Sequence, residues 1–169
     1  MALRKSNQSL ARENSPGALN GAHSVTTIAQ FVTAAGAFAL NDVVEMIPWP
    51  AGTVPHSLKA KVEDLDSNGS PAVTLDFGVL TGQWLEDTVD NDGSTARTCS
   101  TAFGAALTTG QAGGAIDVAA DKLLDLVPDK TKDRSIGFKI AAAPATLIAG
   151  AKITVSAVFV PAPVNMAFA

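Results

Sequence analysis

The chain holds a single cysteine, Cys99, which excludes an intramolecular disulfide and leaves burial and hydrogen bonding to hold the fold. That usage fits synthesis in a reducing cytoplasm. Positive charge is short as well: 12 Lys and Arg stand against 16 Asp and Glu, for a formal net charge of -4. A general nucleic-acid binder needs a basic surface, because phosphate neutralisation supplies most non-specific affinity, so no nucleic acid is expected as a partner. Long apolar runs are missing too. The stretch Val25 to Leu40 is interrupted by Thr26, Thr27, Gln30, Thr33 and Gly36 and falls short of the about 20 apolar residues that a spanning helix needs. No membrane association is expected. The N-terminal charges have no apolar segment behind them, which argues against a secretory signal.

Sites for chemistry are equally sparse. The two histidines, His23 and His56, stand in no motif, and no Gly-x-Ser-x-Gly elbow accompanies them. Cys99 lies between Thr98 and Ser100 with no second cysteine, so a buried structural thiol is the expectation. Gly110-Gln111-Ala112-Gly113-Gly114 lacks the Gly-Lys-Ser/Thr ending of a phosphate loop. Asp64-x-Asp66-x-Asn68-Gly69 matches the first half of a calcium loop, but its twelfth position is Leu75 where a bidentate Glu is required. The acidic cluster Asp87, Asp90, Asn91, Asp92 fails in the same way at Cys99. We therefore expect no metal, no cofactor and no enzymatic activity.

What the chain does contain is alternation. With 47% hydrophobic and 17% charged residues, it is too apolar and too weakly charged for disorder. At this length it is expected to form one domain that buries roughly 70% of its unfolded surface. Leu58, Ala60 and Val62 alternate with Lys59, Lys61 and Glu63, the period of a half-buried strand. Val73, Leu75, Phe77 and Val79 repeat the pattern, as do Ile136, Phe138 and Ile140, and then Ile153, Val155, Ala157 and Phe159. The Asp64–Gly69 segment, with its Asn-Gly pair, reads as the tight turn of a hairpin joining the first two. Val43 to Ile47 and Leu123 to Val127, each stopped by proline, are shorter strand candidates. Helix signals are few: an alanine-rich Ser100 to Thr109, and Ile116 to Leu126, whose spacing leaves helix and strand both open. Short strands between turn clusters predict an all-β antiparallel sandwich.

Residues 1–24 are polar, with Arg4, Lys5 and Arg12 against the single acid Glu13. We read them as an extended N-terminal arm that becomes ordered against an acidic partner, with 25–162 as the sandwich and 163–169 as a tail. Trp49, between Pro48 and Pro50, and Trp84 either cap the core or present their rings outward. If exposed, they join Arg4, Lys5 and Arg12 as partner contacts, since Trp is enriched among residues that dominate binding energy. An exposed ring would also suit a glycan-binding module, a reading from another class.

The order of elements, FALNDVVEM leading into PAGTVPHSLKAKVEDLDSNGSPAVTLDFGVL and later DRSIGFKIAAAPATLIAGAKITVSAVFVPAP, resembles small structural proteins of tailed bacteriophages. It looks most like capsid decoration (cement) proteins, over about residues 25 to 162. That resemblance implies a jelly-roll-like sandwich on the outer capsid surface of the virion, made in the bacterial host cytoplasm, bound as an oligomer to the major capsid protein and lacking catalytic residues. Matching a capsid's local symmetry would make it a homotrimer, with a homodimer as the alternative. A tail, baseplate or fibre-associated component is the runner-up.

Overall fold

The computed structural model describes residues 3–6, 24–35, 38–87 and 95–162. Nine strands, one short helix and one 3-10 turn follow in the order β1 (Leu3–Lys5), β2 (Val25–Val32), β3 (Val43–Trp49), β4 (Thr53–Val62), β5 (Thr74–Leu80), β6 (Gly104–Leu107), a 3-10 turn (Thr109–Gln111), β7 (Gly114–Asp117), α1 (Ala120–Leu124), β8 (Arg134–Ala142) and β9 (Lys152–Pro161). They form a five-stranded sheet, β1-β3-β8-β5-β6, and a four-stranded sheet, β2-β9-β4-β7. Every pair is antiparallel except β1 with β3. From β2 onward each link crosses between the sheets, apart from β5 to β6. The expected all-β sandwich is therefore present.

The alternating residues build the core. Leu58 and Val62 of β4, Ile153, Val155 and Phe159 of β9, and Ile136, Phe138 and Ile140 of β8 have no exposure. Phe77 stacks on Phe138 with centroids 4.4 Å apart and meets Phe103 edge-on at 5.2 Å, geometries that add to area burial. The five-stranded sheet is buried on its outer face as well. There Val43 and Leu80 form a second small cluster with Cys99, against which Leu3 packs.

Three local expectations change. The segment between β4 and β5 is a crossover, not a hairpin: β4 pairs with β9 and β7, while β5 pairs with β8 and β6. Leu65 and Val73, both fully buried, anchor this crossover in the core. The alanine-rich Ser100–Thr109 is no helix, since Gly104–Leu107 is β6 and Phe103 N–H donates to Phe77 O at 3.0 Å. A helix that short is marginal alone, and ladder bonds to β5 outweigh its propensity. Ile116 belongs to β7 opposite Ala60, which leaves only Ala120–Leu124 helical and no strand at Leu123–Val127.

Candidate functional site

The residues expected to meet a partner are engaged within the chain. Arg4 and Lys5 lie in β1, paired in register with Val44 and Glu45 of β3. Arg4 forks onto Asp42 through Nε at 3.1 Å and Nη2 at 2.8 Å, and Lys5 Nζ reaches Asp87 at 2.7 Å. The Ser6 hydroxyl donates to Met46 O. The arm thus begins as an edge strand of the sandwich itself; Arg12 lies outside the described residues. Trp49 is 3% exposed, with its indole N–H donating to Thr53 O at 2.9 Å, and Trp84 is 7% exposed. Neither ring faces outward, so the exposure that both the interface-anchor and glycan readings required is absent.

The calcium-like loop has another use for its oxygens. Asp64 Oδ1 accepts Asp66 N–H at 3.0 Å, Asp66 Oδ1 accepts Asn68 N–H at 3.3 Å, and Asn68 Oδ1 accepts Ser70 N–H at 2.9 Å. The period of two that suggests alternating metal ligands is here a ladder of Asx turns. Asp66 also takes Ala72 and Ala145 N–H on Oδ2, at 2.8 and 2.9 Å, and Thr146 N–H on Oδ1 at 2.8 Å. Both oxygens are committed to backbone donors, and the side chain ties the crossover to the loop between β8 and β9. The Asp90–Asp92 cluster lies outside the described residues. No group of metal-ligating side chains occurs among the described residues.

Burial works to raise the Asp66 pKa, and the four backbone N–H groups outweigh it, holding the carboxyl well below its ordinary value of 3.8. A depressed folded pKa stabilises the fold above the unfolded pKa and loses that stabilisation as pH falls. Asp76, whose carboxylate accepts Ala106 N–H and pairs with Lys139 at 2.8 Å, and Asp129, bonded by the Thr131 and Lys132 amides, are shifted down against burial in the same sense. The thermal midpoint should hold from pH 7 to about pH 5 and fall progressively below about pH 4. Asp66→Asn should melt lower at pH 7 and show a shallower acid fall. Circular-dichroism melts across pH 3 to 7 test this, and parallel profiles for the two proteins would refute it.

Cys99 is buried, and burial, with the charge of Asp76, pushes its thiol up to about 12. It stays protonated at neutral pH, as a buried structural thiol does. His56 is exposed beside Val54, Leu123 and Leu124 in an apolar hollow. His23 lies outside the described residues.

Two features carried little signal in the sequence. On the outer face of the four-stranded sheet, the uncharged edge strand β2 exposes Ile28 (64%) and Val32 (49%), while β4 exposes Lys59 and Lys61; the alternation within Val25–Val32 was the available clue. At one end of the sandwich, Thr81 and Arg134 border two adjoining hollows. Nothing in the local sequence singles out Arg134.

No family model matches the chain, and no curated protein matches it in sequence. Among solved structures it is similar to a chain in the capsid of Ralstonia phage GP4, with a TM-score of 0.75 and 29% identity over 96% of this chain and 99% of that one. A chain in the capsid asymmetric unit of cyanophage Pam1 shares the fold, at a TM-score of 0.57 and 19% identity over 93% of this chain and 97% of that one. The structural neighbours are thus phage capsid chains, and the whole sandwich is matched in both.

Proposed function

We propose that this chain is a virion structural protein that binds the outside of a phage head and stabilises it by bridging major capsid protein subunits, without catalysis. The observation that carries the reading is the end-to-end match with the GP4 capsid chain, in which neither chain has a substantial part left over. A cement protein has to resist the parting of capsomers, and a two-sheet sandwich with a dense core suits that task. Its outer surfaces are unequal. The five-stranded sheet is covered on its outer face by the segment around Cys99, whereas the four-stranded sheet keeps one face open with Ile28 and Val32 on it. That open face is the side offered to the capsid in this reading, and Arg12 supplies the basic contact of the arm. As a homotrimer on threefold positions, each copy adds a contact at high effective concentration, so weak single contacts suffice.

Cryo-EM of the parent particle tests the reading. Density of this sandwich on the outer head surface, in threes, is the expected result. A head bare of it, or the same density on the tail, would exclude the proposal; density in twos would replace trimer by dimer.

A further inference from the structure

We infer that the end of the sandwich around Arg134 is a docking site for a carboxylate carried beside an apolar side chain, an acidic-apolar segment of a protein partner. Two adjoining hollows of about 340 Å³ each share Thr81 and Arg134 as their common wall. One is polar, with Gly82, Gln83 and Lys132. The other is largely apolar, with Trp49, Val79, Leu126 and Val127, the last 50% exposed.

Arg134 is what makes this groove a site. Among the described residues its Nε–H is buried with no acceptor, and its guanidinium makes one bond, a long 3.4 Å contact from Nη2 to Leu80 O. Buried donors left unmet are costly and rare in native chains, so such a group marks a place where an acceptor arrives from outside. The contrast with Arg97 is sharp, since Arg97 has acceptors for Nε, Nη1 and Nη2. A guanidinium edge takes a carboxylate in two parallel bonds, a geometry that a point charge cannot match.

Charge complementarity selects the same ligand. Lys132 is an exposed second cation on the rim. The acid of the polar hollow, Asp129, is engaged, because its Oδ1 accepts Thr131 N–H at 2.8 Å, Lys132 N–H at 2.9 Å and the Thr131 hydroxyl at 3.2 Å. The groove therefore offers two cations against one acid, which caps its own turn and already shares its charge with Arg134. An incoming carboxylate on Arg134 leaves the adjoining side chain of the segment to fill the apolar half beside Leu126 and Val127. The partner's identity as the capsid lattice rests on the function proposed above; the chemistry of the groove does not.

The experiment uses Arg134→Met, which keeps the apolar stem, with Lys122→Met, an exposed residue of α1, as a charge control. Because Arg134 Nε–H has no acceptor among the described residues, and only the long bond to Leu80 O and a charge contact with Asp129 are lost, Arg134→Met should melt within about 2 °C of the wild type. Acetyl-leucyl-aspartate, titrated at millimolar concentration into the full chain, should shift the amide resonances of Thr81 and Gly82 and the indole resonance of Trp49, and Arg134→Met should abolish those shifts. On heads stripped of this protein, Arg134→Met should weaken attachment by roughly tenfold or more and flatten its salt dependence, while Lys122→Met stays near the wild type. Shifts that are absent, or unchanged in Arg134→Met, overturn the inference, as does a melting point more than about 5 °C lower, which would mean the chain supplies its own acceptor. Wild-type protein that fails to bind heads overturns the capsid reading alone, and the dipeptide titration then decides the groove.

Discussion

Replacing Arg97 by leucine should destabilise the protein by about 3 to 5 kcal/mol and lower its thermal midpoint by roughly 10 °C. Arg97 and Glu45 are an ion pair at 2.5 Å in which neither side chain has any exposure. Nη1 also donates to Glu86 O at 2.8 Å, Nη2 to the Ser135 hydroxyl at 2.8 Å, and Nε to Thr81 O at 2.7 Å. The Ser135 hydroxyl donates in turn to Glu45 Oε1 at 2.7 Å. One side chain thus ties the segment before β6 to β3, to β8 and to the turn after β5, on the outer face of the five-stranded sheet. Removing the cation strands Glu45 in a place that water does not reach, and that is the larger part of the loss.

The same reasoning separates the pair from its parts. Glu45→Leu alone should cost about as much as Arg97→Leu, and the double replacement should cost clearly less than the sum, because no uncompensated charge remains. A double-mutant cycle by chemical denaturation measures this, and additive losses would count against the network. The effect extends to the groove, since Thr81, whose carbonyl Arg97 Nε holds, lines both of its halves. Arg97→Leu should therefore weaken ligand shifts at Thr81 even at temperatures where the chain is still folded.

How far these features were legible in the sequence depends on how local their causes are. Leu58, Ala60 and Val62, or Ile153 through Phe159, alternate because one face of each strand meets the core, and that constraint is written into the residues themselves. The partner of a strand is not. The Asp64–Gly69 segment says little of β4 and β5 entering different sheets; the signal was Leu65, apolar and fully buried where a solvated hairpin loop would carry a polar residue. β1, β6 and β7 have three or four residues each, too few for a period to show, and they exist because a neighbouring edge was open. Arg97 and Glu45 are 52 positions apart, so a buried pair between them could not be inferred from either end. Trp49 resolves inward with help from a nearer partner, since its N–H finds its acceptor four positions on, once the chain turns back at Thr53.

Glycine gives the sharpest contrast between local reading and tertiary demand, and it carries the second large effect. Asn68-Gly69 reads as the turn that needs glycine, yet a Cβ at Gly69 would meet nothing within 4 Å and the residue avoids positive φ. Gly78 and Gly137 sit inside strands, opposite each other across β5 and β8. A Cβ on Gly78 would lie 2.1 Å from Ser100 O, and one on Gly137 would lie 2.1 Å from Val44 O. Ser100 has no room to withdraw, since its N–H donates to Val79 O at 2.9 Å and its hydroxyl accepts Val79 N–H at 3.0 Å. Glycine inside a strand here marks the close approach of a second backbone. Gly78→Ala should cost about 4 kcal/mol or more or abolish soluble expression, whereas Gly69→Ala should stay within about 0.5 kcal/mol of the wild type. Soluble yield and urea midpoints for the two variants decide it: equal stability, or a larger loss at Gly69, would mean that the segment leading into β6 does not lie against β5 in this register and that the cover over the outer face is differently placed.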